Sequence, residues 1–451
     1  MQVNGKEILV LGAAKSGVAA ALLLHQHGAI VTVNDSKPRD AIAHDVECLE
    51  EKGIRVVTGS HPEGIVHKDL YCIVKNPGIP YSAAPIAAAQ KLSIPVYTEV
   101  EIAYQYAQSP FIGITGSNGK TTTTTLVGEM LASAHVPNVV AGNIGTALST
   151  IVGETKPKEW IVAELSSFQL LGIETFRPKI AAILNIYQAH LDYHGDLASY
   201  RAAKSRLLMN QTDDDFAVLN YDNAAAWELN SATKARVIPF SRTQRLAQGV
   251  FVQEGSIHIR IGDKDADVCN VSELALPGEH NLENILAATA IAFLAGAGIE
   301  AIRAVLLTFR GVEHRLEYVK TVNQVQYFND SKATNSDAAM RAIGSFAQPV
   351  VLIAGGLDRG DDFRKLEEVL ARHVKAVVLL GQSRFAFAEA AKRAHVKEIE
   401  LVDGLAEAVE KAAQMAAPGD VVLLSPACAS WDMFQSFEER GSMFKHFVHT
   451  L

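Results

Sequence analysis

The residues best equipped for chemistry lie in Gly113-Ile114-Thr115-Gly116-Ser117-Asn118-Gly119-Lys120-Thr121-Thr122. A strand pattern at 111–115 leads in and a helix pattern at 122–134 leads out, the setting that a phosphate-binding loop requires. Glycines let backbone N–H groups turn inward as a nest, and the N-terminus of the helix adds partial positive charge. In such a loop Lys120 reaches the β- and γ-phosphates and the Thr121 hydroxyl ligates Mg²⁺. Only Ser117 and Asn118 separate Gly116 from Gly119, fewer than in the usual Walker loop. The competing reading is an ordinary glycine-rich strand-to-helix turn.

Two further groups sit at strand ends in the same stretch of chain. Glu164 follows the apolar run 160–163, and a carboxylate there, beside a phosphate loop, is placed to hold Mg²⁺. His190, in Asn185-Ile186-Tyr187-Gln188-Ala189-His190-Leu191-Asp192, closes the next strand in a comparable position. Taken alone it reads as a structural histidine of a polar loop; with Glu164 beside the same phosphate loop, a functional role and a structural one stay equally open. Lys204, in Tyr200-Arg201-Ala202-Ala203-Lys204-Ser205-Arg206, reads from composition as a solvated lysine on an amphipathic helix. An earlier turn, Gly12-Ala13-Ala14-Lys15-Ser16-Gly17, has Asp35 at the end of the following strand. It lacks the central glycine that lets a backbone approach a pyrophosphate closely. A structural turn and a nucleotide site (uridine, adenine or NAD) stay open there.

The elements that must position these groups read as α/β. Strand patterns at 8–11, 30–33 and 71–74 alternate with a helix at 17–27, as in a parallel sheet. Residues 97–108 precede Pro110 and mark a domain junction. A second unit has strands at 111–115, 160–163, 180–184 and 216–219, an antiparallel pattern over 250–271 and an apolar helix at 281–297. A third has strands at 350–354, 376–380 and 421–424. Three domains are expected, 1–98, 99–311 and 312–451: a Rossmann-like domain, a central P-loop ATPase-like domain and a C-terminal Rossmann-like α/β domain.

The chain has 451 residues, 48% of them apolar and 20% charged, which excludes a disordered or collagenous protein. Its formal charge is −9 with no basic run, so no nucleic-acid partner is expected. Cys48, Cys72, Cys269 and Cys428 are scattered without metal or redox spacing and read as reduced, mostly buried thiols. The N-terminus has no signal-peptide pattern, and the longest apolar stretch, 285–298, is too short to span a bilayer. A cytoplasmic protein with no membrane partner is the expectation, with a monomer as its state.

Taken together, the motifs resemble the Mur ligases, the ATP-dependent amino-acid-adding enzymes of peptidoglycan synthesis. The short loop 116–122 is similar to that superfamily's phosphate loop, shared with folylpolyglutamate synthetases. Ala163-Glu164-Leu165-Ser166-Ser167-Phe168-Gln169, Leu276-Pro277-Gly278-Glu279-His280-Asn281, Asn329-Asp330-Ser331-Lys332-Ala333-Thr334-Asn335 and Leu424-Ser425-Pro426-Ala427-Cys428-Ala429-Ser430 resemble the D-glutamate-adding branch. The Asp-Asn-Pro-Arg motif of the diaminopimelate- or lysine-adding relatives is absent.

The resemblance implies a ligase that joins D-glutamate to UDP-N-acetylmuramoyl-L-alanine through an acyl phosphate, using ATP and two Mg²⁺ sites. It implies that Ser16, Asp35 and Ser36 contact the uridine nucleotide, and that Asn143 and Ser166 contact the substrate. Gly116, Ser117, Asn118, Gly119, Lys120, Thr121 and Thr122 would hold the ATP phosphates. Asn281, Asn284, Arg315 and Asp330 match positions for the adenosine part and the γ-phosphate. Thr121, Glu164, His190 and Lys204 match the metal-binding positions, with Lys204 carbamylated by CO₂. Lys120, His190, Lys204 and Lys332 match the family's catalytic group, and Thr334, Ser430 and Phe437 its D-glutamate contacts. Arg359 stands where some relatives place a lysine for the D-glutamate carboxylate, and its fork can bind a carboxylate through two N–H groups. Domain closure on binding is expected. The alternatives are a relative adding another amino acid such as L-alanine, a folylpolyglutamate synthetase, a non-catalytic nucleotide-binding regulator and a dehydrogenase.

Overall fold

Short apolar runs, most of them followed by a helix, build three α/β sheets. A computed structural model describes residues 1–188, 191–276, 278–358, 360 and 362–451. The chain divides into two compact units, Met1–Phe309 and Arg310–Leu451.

The first unit holds two of the sheets. The N-terminal one runs Arg55–Thr58, Ile30–Asp35, Glu7–Leu11, Cys72–Lys75 and Val96–Tyr97 across, all parallel. Its two central strands are Glu7–Leu11 and Cys72–Lys75, buried almost throughout, as strands covered on both faces must be. The central sheet has Phe111–Thr115 between Ile180–Ile183 and Trp160–Glu164, all parallel. Its far edge is the antiparallel trio Gly249–Gln253, Ser256–Ile261 and Lys264–Asn270, matching the alternation expected over 250–271. The helices Lys120–Ser133 and Glu279–Leu294 contribute Leu126, Met130, Ile285 and Ile291 to a shared core.

Between the sheets, residues 97–108 form a helix over Glu99–Tyr106. Its buried Glu101 accepts the N–H groups of Glu174, Thr175 and Phe176 at 2.8–3.1 Å, fixing the helix to the central domain. A buried carboxylate needs such donors to offset its lost hydration.

The second unit is one mixed sheet in the order Glu317–Val322, Val325–Asn329, Val421–Leu424, Val350–Gly355, Val374–Leu380 and Glu398–Leu401. Only the Glu317–Val322 pairing is antiparallel. Its inner strands match the expected ones at 350–354, 376–380 and 421–424 to within two residues. Strands at Arg55–Thr58, Asn138–Gly142 and Arg236–Ser241 have no counterpart in the sequence reading. Each is only partly buried, and Pro239 interrupts the third, so neither alternation nor an unbroken apolar run marks them. Among the described residues the four cysteines are free, and no helix is long and apolar enough to cross a membrane.

Candidate active site

The candidate phosphate loop, residues 116–122, sits where Phe111–Thr115 turns into the helix Lys120–Ser133. The turn depends on Gly119, which has φ +81° and no side-chain cap before it. A Cβ there would lie 1.9 Å from Asn284 Oδ1, so only glycine lets the loop and the helix of Asn284 approach this closely. Asn185, at the end of the neighbouring strand, anchors the loop from beside it. Its Oδ1 accepts the Asn118 N–H at 2.9 Å and its carbonyl accepts the Ser117 N–H at 3.0 Å.

Two lysines converge on one carbonyl of this loop. Lys120 Nζ donates to Gly116 O at 2.9 Å and to Ser117 O at 3.0 Å. Lys204 Nζ donates to the same Gly116 O at 2.9 Å and to Thr115 Oγ1 at 3.3 Å. The reading of Lys204 as a solvated lysine is corrected here: the residue is 1% exposed. Its helix, Leu197–Ser205, turns Lys204 inward together with Tyr200 and Ala203, and the ammonium lies 4.7 Å from the Tyr200 ring centroid. Composition recorded a basic residue among polar ones, whereas the fold sets it on the buried face. Burial, reinforced by the charge of Lys120, holds its pKa well below the ordinary lysine value. No carboxylate forms an ion pair with it among the described residues.

Glu164 ends its strand as expected and is 3% exposed. Oε1 accepts from Asn143 Nδ2 at 2.8 Å, while the buried Oε2 has no hydrogen-bond partner among the described residues. A buried carboxylate oxygen without a donor suits a cation. Thr121, at the first turn of the phosphate-loop helix, is also buried. Among the described residues no three His, Cys, Asp or Glu side chains cluster for a metal. Mg²⁺ takes one or two protein carboxylates plus substrate phosphates and waters, and Glu164 offers one carboxylate here. His190 lies outside the described residues.

Other expected positions are spread over the first unit. Asn281 and Asn284 both lie on the helix Glu279–Leu294, Asn284 buried beside Gly119. Ser166 caps the short helix Ser167–Leu170 in a capping box with Gln169. At the N-terminal sheet, Ser16 donates to Asn76 Oδ1 at 2.5 Å. Asp35 accepts the Ala13 N–H at 2.8 Å and the Lys37 N–H at 2.9 Å, and Ser36 is exposed beside it. Lys15 Nζ reaches Gly145 O at 3.0 Å, linking this turn to the Gly142–Gly145 segment that carries Asn143.

In the second unit, Asp330 and Lys332 follow the strand Val325–Asn329. Asp330 accepts the Ser425 hydroxyl at 2.9 Å and the Leu316 N–H at 3.2 Å, and burial pushes its pKa up to about 6. Lys332 Nζ lies 5.9 Å from the Phe437 ring centroid. The Ser331 hydroxyl donates to Phe437 O at 2.8 Å, so the two segments are tied. Thr334 N–H bonds the Lys332 carbonyl at 2.9 Å, and Ser430 is buried in the turn after Cys428. Arg315 immediately precedes Leu316 in the loop before this sheet, and Arg359 lies outside the described residues.

Three buried groups escaped the sequence reading. Arg440 is 1% exposed and donates to Ser331 Oγ, Ser331 O and Cys428 O at 2.9–3.1 Å, joining the Lys332 and Ser430 segments. Asn185 and Lys75 are the others. The available signal was a polar residue at the end of an apolar strand, which marks Asn185 and Lys75 but not Arg440.

Three family models match successive stretches of the chain: "Mur ligase MurD-like, N-terminal domain" over residues 6–98, "Mur ligase middle domain" over 114–292 and "Mur ligase, glutamate ligase domain" over 314–428. The chain is 50% identical over 452 residues to the UDP-N-acetylmuramoylalanine--D-glutamate ligase of Bacillus cereus (strain G9842), covering 100% of this chain and 99% of that one. It is 49% identical over 450 residues to the protein of the same name from Bacillus mycoides (strain KBAB4), with the same coverage. Among solved structures, the fold is similar to UDP-N-acetylmuramate-alanine ligase MurC of Thermotoga maritima, with TM-score 0.54, 18% identity and 99% of each chain covered. It is also similar to MurF of Acinetobacter baumannii, with TM-score 0.55, 20% identity and 97% and 93% covered. With three matched models along its length and full-length relatives at half identity, the chain belongs to the Mur ligase family.

Proposed function

We propose that this chain joins D-glutamate to UDP-N-acetylmuramoyl-L-alanine at the expense of ATP, as a step of peptidoglycan precursor synthesis in the cytoplasm. The observation that carries this reading is the 50% identity, over essentially the whole of both chains, to proteins named UDP-N-acetylmuramoylalanine--D-glutamate ligase. The family uses ATP, generally with Mg²⁺. Residues 1–98 would bind the uridine nucleotide, 99–311 the ATP and 312–451 the amino acid.

The residues present fit that chemistry. The L-alanyl carboxylate oxygen attacks the γ-phosphorus of ATP, the bond to the β–γ bridging oxygen breaks, and ADP leaves. Lys120 stabilises the charge on the transferring phosphoryl group, with the loop 116–122 and its helix N-terminus orienting the phosphates. The neutral amine of D-glutamate then attacks the acyl carbonyl, and the tetrahedral intermediate collapses with loss of inorganic phosphate to leave the amide. When bound, Mg²⁺ supplies positive charge that screens the phosphates from the attacking carboxylate. Glu164, with its unpartnered Oε2, and His190 would hold one ion, and Thr121 would serve a second beside the ATP phosphates.

Lys204 fits a carbamate. Its lowered pKa favours the free amine, which adds to CO₂ and releases one proton, turning a cation beside Lys120 into an anion. Asn281, Asn284, Arg315 and Asp330 would hold the rest of ATP. Ser16, Asp35, Ser36, Asn143 and Ser166 would hold the nucleotide substrate. Lys332, Thr334, Arg359, Ser430 and Phe437 would hold D-glutamate. Mass spectrometry of a reaction with ATP, UDP-N-acetylmuramoyl-L-alanine and D-glutamate tests the reading. One amide product per ADP and phosphate supports it; ATP hydrolysis without a new amide sinks it.

A further inference from the structure

Lys75 is the last residue of the strand Cys72–Lys75 and is 1% exposed. No carboxylate pairs with it among the described residues, and burial lowers its pKa to about 8. Its ammonium instead donates to the carbonyls of Asn76 at 3.3 Å, Pro77 at 3.0 Å and Ile79 at 2.9 Å, and lies 4.8 Å from the Tyr81 ring centroid. Three N–H donors thus meet three carbonyls of one loop, which satisfies the ammonium completely. Burying a lysine to hold a surface loop is costly, so the shape of that loop must matter.

The loop it holds borders the first glycine-bearing turn. The Asn76 N–H bonds Leu11 O at 2.8 Å, and its side-chain oxygen accepts the Ser16 hydroxyl. A Cβ on Gly12 would fall 2.5 Å from Asn76 Nδ2, so the amide closes directly over the turn. From the far side, Tyr193 donates its hydroxyl to Ile79 O at 3.2 Å. All of this lies at the carboxyl ends of the strands Glu7–Leu11 and Cys72–Lys75, where open α/β sheets take their ligands.

We propose that Lys75 is a positioning residue for the nucleotide-sugar substrate: by gathering the carbonyls of residues 76, 77 and 79 it fixes Asn76 against Ser16 and the Gly12 turn. This rests on the reading that the first domain binds the uridine nucleotide. Lys75 itself has no donor left for a ligand. It acts through the loop, by removing the conformational freedom that substrate binding would otherwise have to freeze.

The test is steady-state kinetics of the full chain with Lys75→Met, which keeps the apolar stem and removes the ammonium. The KM for UDP-N-acetylmuramoyl-L-alanine should rise about tenfold, the scale of a lost charged hydrogen-bond set, while kcat and the KM for ATP change by less than about threefold. A merely structural lesion would lower the active fraction, and so the apparent kcat, without this split. Asn76→Ala, which leaves the core intact, should raise the same KM several-fold. An unchanged KM for the nucleotide sugar in folded Lys75→Met overturns the proposal. If that variant does not fold, an unchanged KM in Asn76→Ala does the same. Calorimetry of the wild-type chain with UDP separates the two readings. No binding removes the uridine reading itself, whereas wild-type binding equalled by Lys75→Met removes only the role of Lys75.

Discussion

The first unit contains two strand–turn–helix corners with the same local design and opposite electrostatics. In both, a glycine-bearing turn leads from a buried central strand into a helix whose first residue is a lysine, Lys15 in one and Lys120 in the other. At the first corner a carboxylate enters the turn, because Asp35 accepts the Ala13 N–H. At the second a neutral amide does so, because Asn185 accepts the Asn118 N–H. Lys15 turns away to Gly145, while Lys120 and Lys204 both bend onto Gly116. A carboxylate already caps a backbone donor of the first turn, whereas the second keeps Lys120 beside a nest of backbone donors. Backbone shape alone therefore does not make a phosphate site. The side chains that enter the turn from the next strand decide which ligand it suits.

This contrast can be broken most directly at the two lysines. Lys120→Ala should lower ATP-dependent phosphate release by about a thousandfold or more, the scale of losing a preorganised charge in phosphoryl transfer. Lys15→Ala should lower it by less than about tenfold, since Lys15 makes one exposed hydrogen bond. Equal losses at both positions would erase the distinction between the corners.

Lys204→Ala should cost about a hundredfold or more in kcat, the scale of removing one electrostatic group from an active site. Short carboxylic acids such as formate or acetate should restore part of it by supplying the missing anion. Failure of every acid tried would count against the carbamate.

Asp330 extends the comparison to the second unit. Its pKa of about 6 against the ordinary 3.8 means that the folded state favours the neutral acid. That contribution is fully present below about pH 4 and is lost as pH rises through about 6. Relative to Asp330→Asn, the wild-type chain should therefore lose up to about 3 kcal/mol of stability between pH 4 and pH 7. Denaturant unfolding of both proteins across that range measures the difference, and a constant gap would show that burial does not raise this acid.

Gly119→Ala should raise the KM for ATP by about tenfold, because φ +81° and the contact with Asn284 both oppose a Cβ. An unchanged KM would mean that the loop relaxes freely.

The second corner was legible in the sequence because its signal is local: glycines, a lysine and a threonine within ten residues, between a strand and a helix. The three sheets were legible for the same reason, through apolar runs buried on both faces. Lys204 was misread because its burial depends on which face of Leu197–Ser205 meets the loop at Gly116, some 88 positions earlier. Arg440 was missed because its partners, Ser331 and Cys428, are separated from it by 109 and 12 residues. Buried polar groups that join distant segments leave no periodic trace, since their meaning resides in contacts that only folding creates.

The central claim is the amino acid that this ligase accepts. An amino-acid panel with ATP and UDP-N-acetylmuramoyl-L-alanine, read by phosphate release, tests it most directly. Release is expected with D-glutamate and none above background with L-alanine, L-glutamate or L-lysine. Release with L-alanine but not with D-glutamate would contradict it.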